Sequence, residues 1–109
     1  MKIGVDIVEV GRIKKLVKNS QFLAKVYTPE EIAYCRAKKN CAQHFAVRFA
    51  AKEAVWKALG ENGTALKHIG VVNMPGGKPH ILIRGKRQKS IDVSLSHTDN
   101  YAVAVALIL

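Results

Sequence analysis

Asp6 and Glu53 are the side chains of this 109-residue chain whose type and setting first suggest chemistry, because each is a carboxylate that its local pattern turns toward a packed surface. Asp6 sits where Ile3, Val5 and Ile7 alternate with Lys2, Gly4 and Asp6, the period-two signature of a strand over residues 2–8. Glu53 sits in the run from Ala46 to Gly60, which is rich in Ala, Leu, Lys, Arg and Glu and closed by a glycine, and so reads as a helix. Two carboxylates with open coordination positions suit Mg2+, which takes oxygen ligands, keeps several waters and is often completed by substrate phosphates. Pairing with Lys or Arg is the competing use. Glu9, three residues after Asp6, is either a helix cap or a hydrogen-bond acceptor behind it.

The helix that carries Glu53 has little surface left for water. At about 100° per residue, Ala46, Ala50, Ala51, Ala54 and Ala58 fall with Val47 and Val55 on one small-residue face, and Phe45, Phe49 and Trp56 form a bulky one. Between them run two charged ridges, Arg48 with Lys52 and Glu53 with Lys57, each pair four residues apart. Charges on a mostly covered helix need partners, since an unpaired buried charge costs several kcal/mol. The plainest arrangement is an ion pair between Glu53 and Lys57, contributing about 0.2–0.5 kcal/mol. His97, between Ser96 and Thr98 at the end of an alternating run, is a ligand, a base or a hydrogen-bonded turn residue. Ser94-Leu95-Ser96-His97 lacks the flanking glycines of a hydrolase nucleophile. No Gly-rich Walker or dinucleotide sequence is present either, so phosphate would be held by side chains and metal.

The elements that must position these residues follow from the rest of the chain. After Glu9, Ile13, Leu16 and Val17 are spaced among Arg12, Lys14, Lys15 and Lys18 as in a basic amphipathic helix. Thr28-Pro29-Glu30-Glu31 joins an N-cap, a first-turn proline and an acid at the third helical position, a capping box that starts a helix reaching about Lys38. The long helix then runs from about Cys41 to Leu59. Ile69 to Asn73 and His80 to Ile83 flank Met74-Pro75-Gly76-Gly77-Lys78-Pro79, turn chemistry between two β-prone runs, and predict a hairpin. Arg84 to Lys89 is a basic loop. Residues 91–96 alternate, His97 to Asn100 supply a turn, and Tyr101 to Leu109 is an uncharged strand. A strand apolar on both faces is covered on both; a helix covers one side and a second subunit can meet the other.

Length predicts one domain spanning residues 1–109, and a hydrophobic content of 49% with 24% charge is that of a globular protein. The acid at position 6 interrupts what a signal peptide would need to be apolar, so a cytoplasmic protein is expected, without membrane spans. Cys35 and Cys41, six residues apart with only His44 nearby, do not complete a zinc or redox motif. A net charge of +10 implies an anionic partner: nucleic acid, a phosphorylated small molecule or an acidic protein.

Three separated strings together narrow the choice. Gly4-Val5-Asp6-Ile7-Val8-Glu9, Arg48-Phe49-Ala50-Ala51-Lys52-Glu53-Ala54 with Lys57-Ala58-Leu59-Gly60, and Ser94-Leu95-Ser96-His97-Thr98 with Tyr101-Ala102 resemble, in order and spacing, the signatures of the holo-acyl-carrier-protein synthases. These are the small bacterial 4'-phosphopantetheinyl transferases. Gly77-Lys78-Pro79 resembles that family's turn. The resemblance implies an α+β fold, an antiparallel sheet packed on one long helix and shorter helices, assembled as a homotrimer with active sites between subunits. It implies transfer of 4'-phosphopantetheine from coenzyme A to a serine of apo-acyl carrier protein, in fatty-acid synthesis, releasing adenosine 3',5'-bisphosphate.

By the same resemblance Asp6 and Glu53 match the Mg2+ ligands, and Lys57 would neutralise or protonate the leaving phosphate. A water on the metal or Asp6 itself would take the serine proton. Arg48, Lys52 and His97 match positions near the nucleotide and its phosphates. Arg12 matches a position that docks the acidic carrier, and Lys14, Lys15 and Lys18 add to its field. The chain departs from the pattern at Glu61-Asn62, where many members have small residues and a further glycine, and in the short segment from Arg84 to Ser90. The main competing reading is a small basic nucleic-acid-binding module, which predicts aromatic side chains on an open sheet. A Mg2+-dependent phosphohydrolase is a third, and it leaves the basic first helix without a purpose.

Overall fold

The computed structural model describes residues 1–60, 63–73 and 76–109. Its elements run β1 (Lys2–Glu9), α1 (Val10–Leu16), α2 (Ser20–Val26), α3 (Pro29–Arg36), α4 (Cys41–Leu59), a 3-10 turn (Leu66–His68), β2 (Ile69–Asn73), β3 (Pro79–Ile83), β4 (Lys86–Arg87), β5 (Ile91–His97) and β6 (Tyr101–Ile108). The expectations at Glu61-Asn62 and at Met74-Pro75 of the hairpin turn lie outside the described residues. Among the described residues, no helix is long and apolar enough to cross a membrane.

The strands form two antiparallel three-stranded sheets, β1-β6-β5 and β2-β3-β4, rather than one. The division follows from the hairpin, whose residues pair with each other, Ile69 with Ile83 through Asn73 with Pro79. Arg84-Gly85 then turns the chain in two residues into β4, with positive φ at both, 50° and 82°. A short strand thus occupies part of the expected basic loop. The helix α2 was not legible as amphipathic; Asn19 starts it by accepting hydrogen bonds from the backbone N–H groups of Gln21 and Phe22.

Small residues let α4 lie unusually close to the first sheet. Ala46, Ala50, Ala54 and Ala58 are buried on α4, as are Ala102, Ala104 and Ala106 on β6. Gly4 is the closest approach: a Cβ built there would sit 2.0 Å from the Ala54 carbonyl oxygen and 2.9 Å from the Ala58 nitrogen. Only glycine fits, so β1 meets the half of α4 that carries Glu53. The helix ends at Gly60, left-handed at φ 76°, where glycine avoids the Cβ penalty.

Ile3, Val5 and Ile7 of β1 point the other way, while Val8 is buried. Ile3 and Ile7 are 69% and 65% exposed, and Val5, Tyr101 and Val105 are exposed beside them. The sheet face opposite α4 is therefore an open apolar surface within the single chain, in keeping with the uncharged strand expected from Tyr101 to Leu109.

Candidate active site

The register of the first sheet sets Asp6 opposite Ala104, on the side facing α4. There Lys57 reaches across and donates to Asp6 Oδ1 and to the Val5 carbonyl oxygen, both at 3.1 Å. The expected Glu53–Lys57 pair is thus replaced by Asp6–Lys57, because Gly4 brings β1 within reach of the lysine and the carboxylate of β1 is the nearer acceptor. An ammonium has three N–H donors, so one remains for a ligand.

Glu53 makes no ion pair among the described residues. Partial burial and then the negative charge of Asp6 raise its carboxyl above the ordinary range, opposed by Lys57 and Arg12. Two carboxylates thus share one small field, and their mutual repulsion is only partly offset. That donor set fits a hard divalent cation, which would relieve the repulsion and bind through oxygen. No group of three or more His, Cys, Asp or Glu forms a cage among the described residues, so a cation here would rely on water or ligand oxygens for its other positions. Arg12 and Lys15 line a shallow depression together with Glu9, and Arg12 lies close enough to Glu53 to lower its pKa. The basic face of α1 therefore borders the carboxylates.

Arg48 and His97 form a separate cluster. They line a cavity of about 180 Å3 with Gln43, His44, Asn73 and Leu95. His44 is held below its usual pKa, first by burial and then by the charges of Arg48 and Lys38, with His97 adding a small part. The guanidinium of Arg48 stacks on the Tyr34 ring, 4.3 Å from its centroid. On α4, Arg48 and Glu53 lie about 140° apart around the axis, so a single chain presents the carboxylates and this cluster on different sides.

Lys52 is not brought to either cluster, which corrects its expected place beside phosphates. It is 0% exposed; its ammonium pairs with Glu31 Oε1 at 2.6 Å and donates to the Leu66 and Ile69 carbonyls. Every N–H it has is used. Glu31 is likewise buried and serves three partners: the Thr28 backbone N–H in the capping box, Lys52, and the backbone N–H of Val71 through Oε2 at 2.8 Å. The sequence pattern marked Glu31 as a cap and missed its second task, although a buried lysine on α4 implied an acid somewhere in the core. Glu31 is consequently a third inward carboxylate beside Asp6 and Glu53. The Lys52–Glu31 pair ties α3, α4 and β2 together. Cys35, buried, has its thiol pushed up to about 11, chiefly by burial, which keeps it protonated.

Known proteins share this sequence pattern and fold. Residues 2–106 match the family model described as the 4'-phosphopantetheinyl transferase superfamily. A holo-[acyl-carrier-protein] synthase of Geotalea daltonii is 44% identical, covering 96% of this chain and 94% of that protein. One of Thermodesulfovibrio yellowstonii is 48% identical, covering 97% and 96%. Among solved structures, a holo-(acyl-carrier-protein) synthase of Bacillus anthracis in complex with CoA (3',5'-ADP) superposes with a TM-score of 0.84 at 31% identity, covering 98% of this chain and 94% of that one. The Helicobacter pylori enzyme in complex with coenzyme A gives 0.82 at 31% identity, covering 98% and 99%.

Proposed function

This chain belongs to the 4'-phosphopantetheinyl transferase superfamily, and from that premise we propose that it is a holo-acyl-carrier-protein synthase that binds coenzyme A and transfers its 4'-phosphopantetheine to a serine of apo-acyl carrier protein. The observation that supports this reading is the Asp6–Lys57 contact beside Glu53, residues that the sequence resemblance assigns to the reacting end. In this reaction the serine hydroxyl gives its proton to Asp6 or a water at the carboxylates, its oxygen forms a bond to the phosphorus bearing the pantetheine arm, and the bridging P–O bond breaks. Adenosine 3',5'-bisphosphate then leaves as the anion.

Lys57 holds Asp6 in place and directs its remaining N–H toward the phosphate that gains charge, electrostatic stabilisation of the kind that dominates phosphoryl transfer. Asp6 and Glu53 would hold Mg2+, which when bound supplies Lewis-acid polarisation of the phosphoryl oxygens. Arg12 and Lys15, at the rim of the carboxylates, dock the acidic carrier and steer its approach. Arg48 and His97 contact the phosphates or base of coenzyme A, and Lys52 acts from the core by tying α4 to α3 through Glu31.

Because the carboxylates and the Arg48–His97 cluster lie on different sides of α4, one coenzyme A spans both only if a neighbouring subunit supplies the second. The open apolar face of β1 and β6 is suited to that contact, which supports a homotrimer with sites between subunits. We place the protein in the cytoplasm, in fatty-acid synthesis. The nucleic-acid reading is less well supported, since the exposed face of the first sheet carries Ile3, Val5, Ile7 and Val105 with a single aromatic, Tyr101, and stacking needs rings. Incubation with apo-carrier, coenzyme A and Mg2+ tests the reading: Asp6→Asn and Glu53→Gln are expected to abolish the mass gain of the carrier, and unchanged gain in both contradicts it.

A further inference from the structure

His44 belongs to the Arg48–His97 cluster, and among the described residues its ring has no hydrogen-bond partner, whereas the rings of His80 and His97 each have one. Its imidazole meets the Tyr34 ring edge to face, with centroids 5.9 Å apart. His44 and Arg48 are four residues apart on α4 and so are neighbours on one ridge of the helix; the His44 carbonyl accepts from Arg48 Nη1 at 3.4 Å. The opposing strand β5 ends at His97, which pairs with Ala102. Directly opposite residues share a face of a sheet, and Ala102 is buried on the α4 side, so His97 faces the same helix. His44, Arg48 and His97 accordingly line one cavity of about 180 Å3.

The charged groups around His44 come from several elements. Burial first, and then the charges of Arg48 on its own helix, Lys38 beyond the end of α3 and His97 on β5, hold its ring below the ordinary histidine pKa, so it is neutral at pH 7. From α3, Tyr34 contributes a ring with Arg48 and Lys38 at 4.3 and 4.6 Å from its centroid, and its hydroxyl accepts from Asn73 at 3.2 Å. Asp99, on the β5–β6 turn, accepts from the Gln43 amide at 3.3 Å and is not among the charges that act on His44. Among the described residues the cavity lining therefore holds basic side chains and no carboxylate. Such a cavity is least costly when empty with His44 uncharged. An entering phosphate reverses the balance, because an opposite charge within about 4–6 Å favours the ionised form by about 1–3 pKa units.

We propose that His44 is a third ligand of the coenzyme A phosphates, beside Arg48 and His97, and that it takes a proton from water as they bind. This rests on the assignment of the Arg48–His97 cluster to coenzyme A. As an imidazolium, His44 donates to a phosphate oxygen in a charge-assisted hydrogen bond, stronger than the one a neutral ring makes. Binding takes up a proton, and departure of adenosine 3',5'-bisphosphate returns it to water. The ring holds its proton more tightly in the complex, so affinity rises as pH falls through the bound-state pKa and levels off below the free-state pKa. Nucleotide affinity thereby depends on pH near neutrality through a residue that takes no part in carrier docking at Arg12.

The test uses adenosine 3',5'-bisphosphate as the probe, with the imidazole 1H–15N spectrum of the full-length protein followed against pH with and without it. The His44 ring should titrate below the ordinary histidine range in the free protein and about one unit or more higher in the saturated complex. Between about pH 8.5 and about pH 6, nucleotide affinity should rise about tenfold more in the wild type than in His44→Asn, one pKa unit being tenfold. The second ionisation of a phosphate, near pH 6, affects both proteins alike, so their ratio isolates His44. His80→Asn, on the second sheet, should keep the wild-type dependence. A His44 ring that titrates alike in free protein and complex overturns the proposal, and so does an equal pH dependence in the wild type and His44→Asn. Absence of saturable nucleotide binding at every pH overturns the coenzyme A reading and the proposal together, whereas binding that leaves His44 unshifted overturns the proposal alone.

Discussion

Replacing Gly4 with alanine should damage catalysis without touching any group that meets substrate. The added Cβ would stand 2.0 Å from the Ala54 carbonyl oxygen, about 1.4 Å inside the 3.4 Å at which ordinary contact begins. The obstacle is backbone, so no rotamer change relieves it, and β1 must move off α4 by most of that distance. Overpacking of this kind costs about 1–3 kcal/mol, and in a domain of this size each kcal/mol lowers the melting temperature by about 4–8 °C. The same movement withdraws Asp6 from Lys57 and Glu53. Since a misplacement of about 1 Å can cost about 10²-fold in rate, kcat/KM for carrier modification should fall by about that factor at temperatures where the variant is still folded. The assay is intact mass of the carrier against time, with circular dichroism confirming the fold at the assay temperature. Gly11→Ala, whose Cβ meets nothing within 4 Å, is the stability control and should be neutral or stabilising. A folded Gly4→Ala protein with full kcat/KM would refute the claim that this close approach sets the site.

Other perturbations probe separate parts of the account. Glu53→Gln should raise the melting temperature at neutral pH in the absence of divalent ions, because the folded-state pKa of Glu53 is raised, so ionising it costs stability as pH rises through that value; Mg2+ should then stabilise the wild type and not the variant. For the same reason the Glu53 carboxyl should titrate above an ordinary glutamate in the absence of divalent ions, and Mg2+ should move that midpoint down, which a carboxyl 13C titration by NMR checks. Lys52→Met should lose about 3–5 kcal/mol in urea unfolding, the cost of stranding buried Glu31, while KM for coenzyme A is retained in the folded fraction. Arg12→Glu should raise KM for the carrier and leave that for coenzyme A nearly unchanged, and added salt should weaken wild-type carrier binding by screening over about 8–10 Å. Ile7→Lys, on the open face, should reduce the assembled mass in sedimentation if that face joins subunits.

Periodicity and caps made most of the fold legible. The alternation through Ile7, the capping box at Thr28 and the Ala-rich run ending at Gly60 correspond to β1, α3 and α4 within a residue or two. The short helix from Ser20 to Val26 was not legible, since its start depends on a single Asn19 cap and its packing on aromatic contacts of Phe22 with Tyr27 and Phe49, which no local pattern encodes. The site was readable in residue type more than in pairing. Asp6 and Glu53 could be picked out as inward carboxylates, but the partner of Lys57 depends on how close β1 comes to α4, and that distance is set by a glycine. Lys52 illustrates the reverse case. Its place in the string Ala51-Lys52-Glu53 suggested a phosphate contact, while the acid that takes its charge lies twenty-one residues upstream in a capping box.

The most direct test of phosphopantetheine transfer is the intact mass of an apo-acyl carrier protein incubated with this protein, coenzyme A and Mg2+, in parallel with EDTA. The account predicts a gain of one phosphopantetheine that EDTA abolishes and that restored Mg2+ recovers. No gain with several apo-carriers, or a gain indifferent to EDTA, would contradict it.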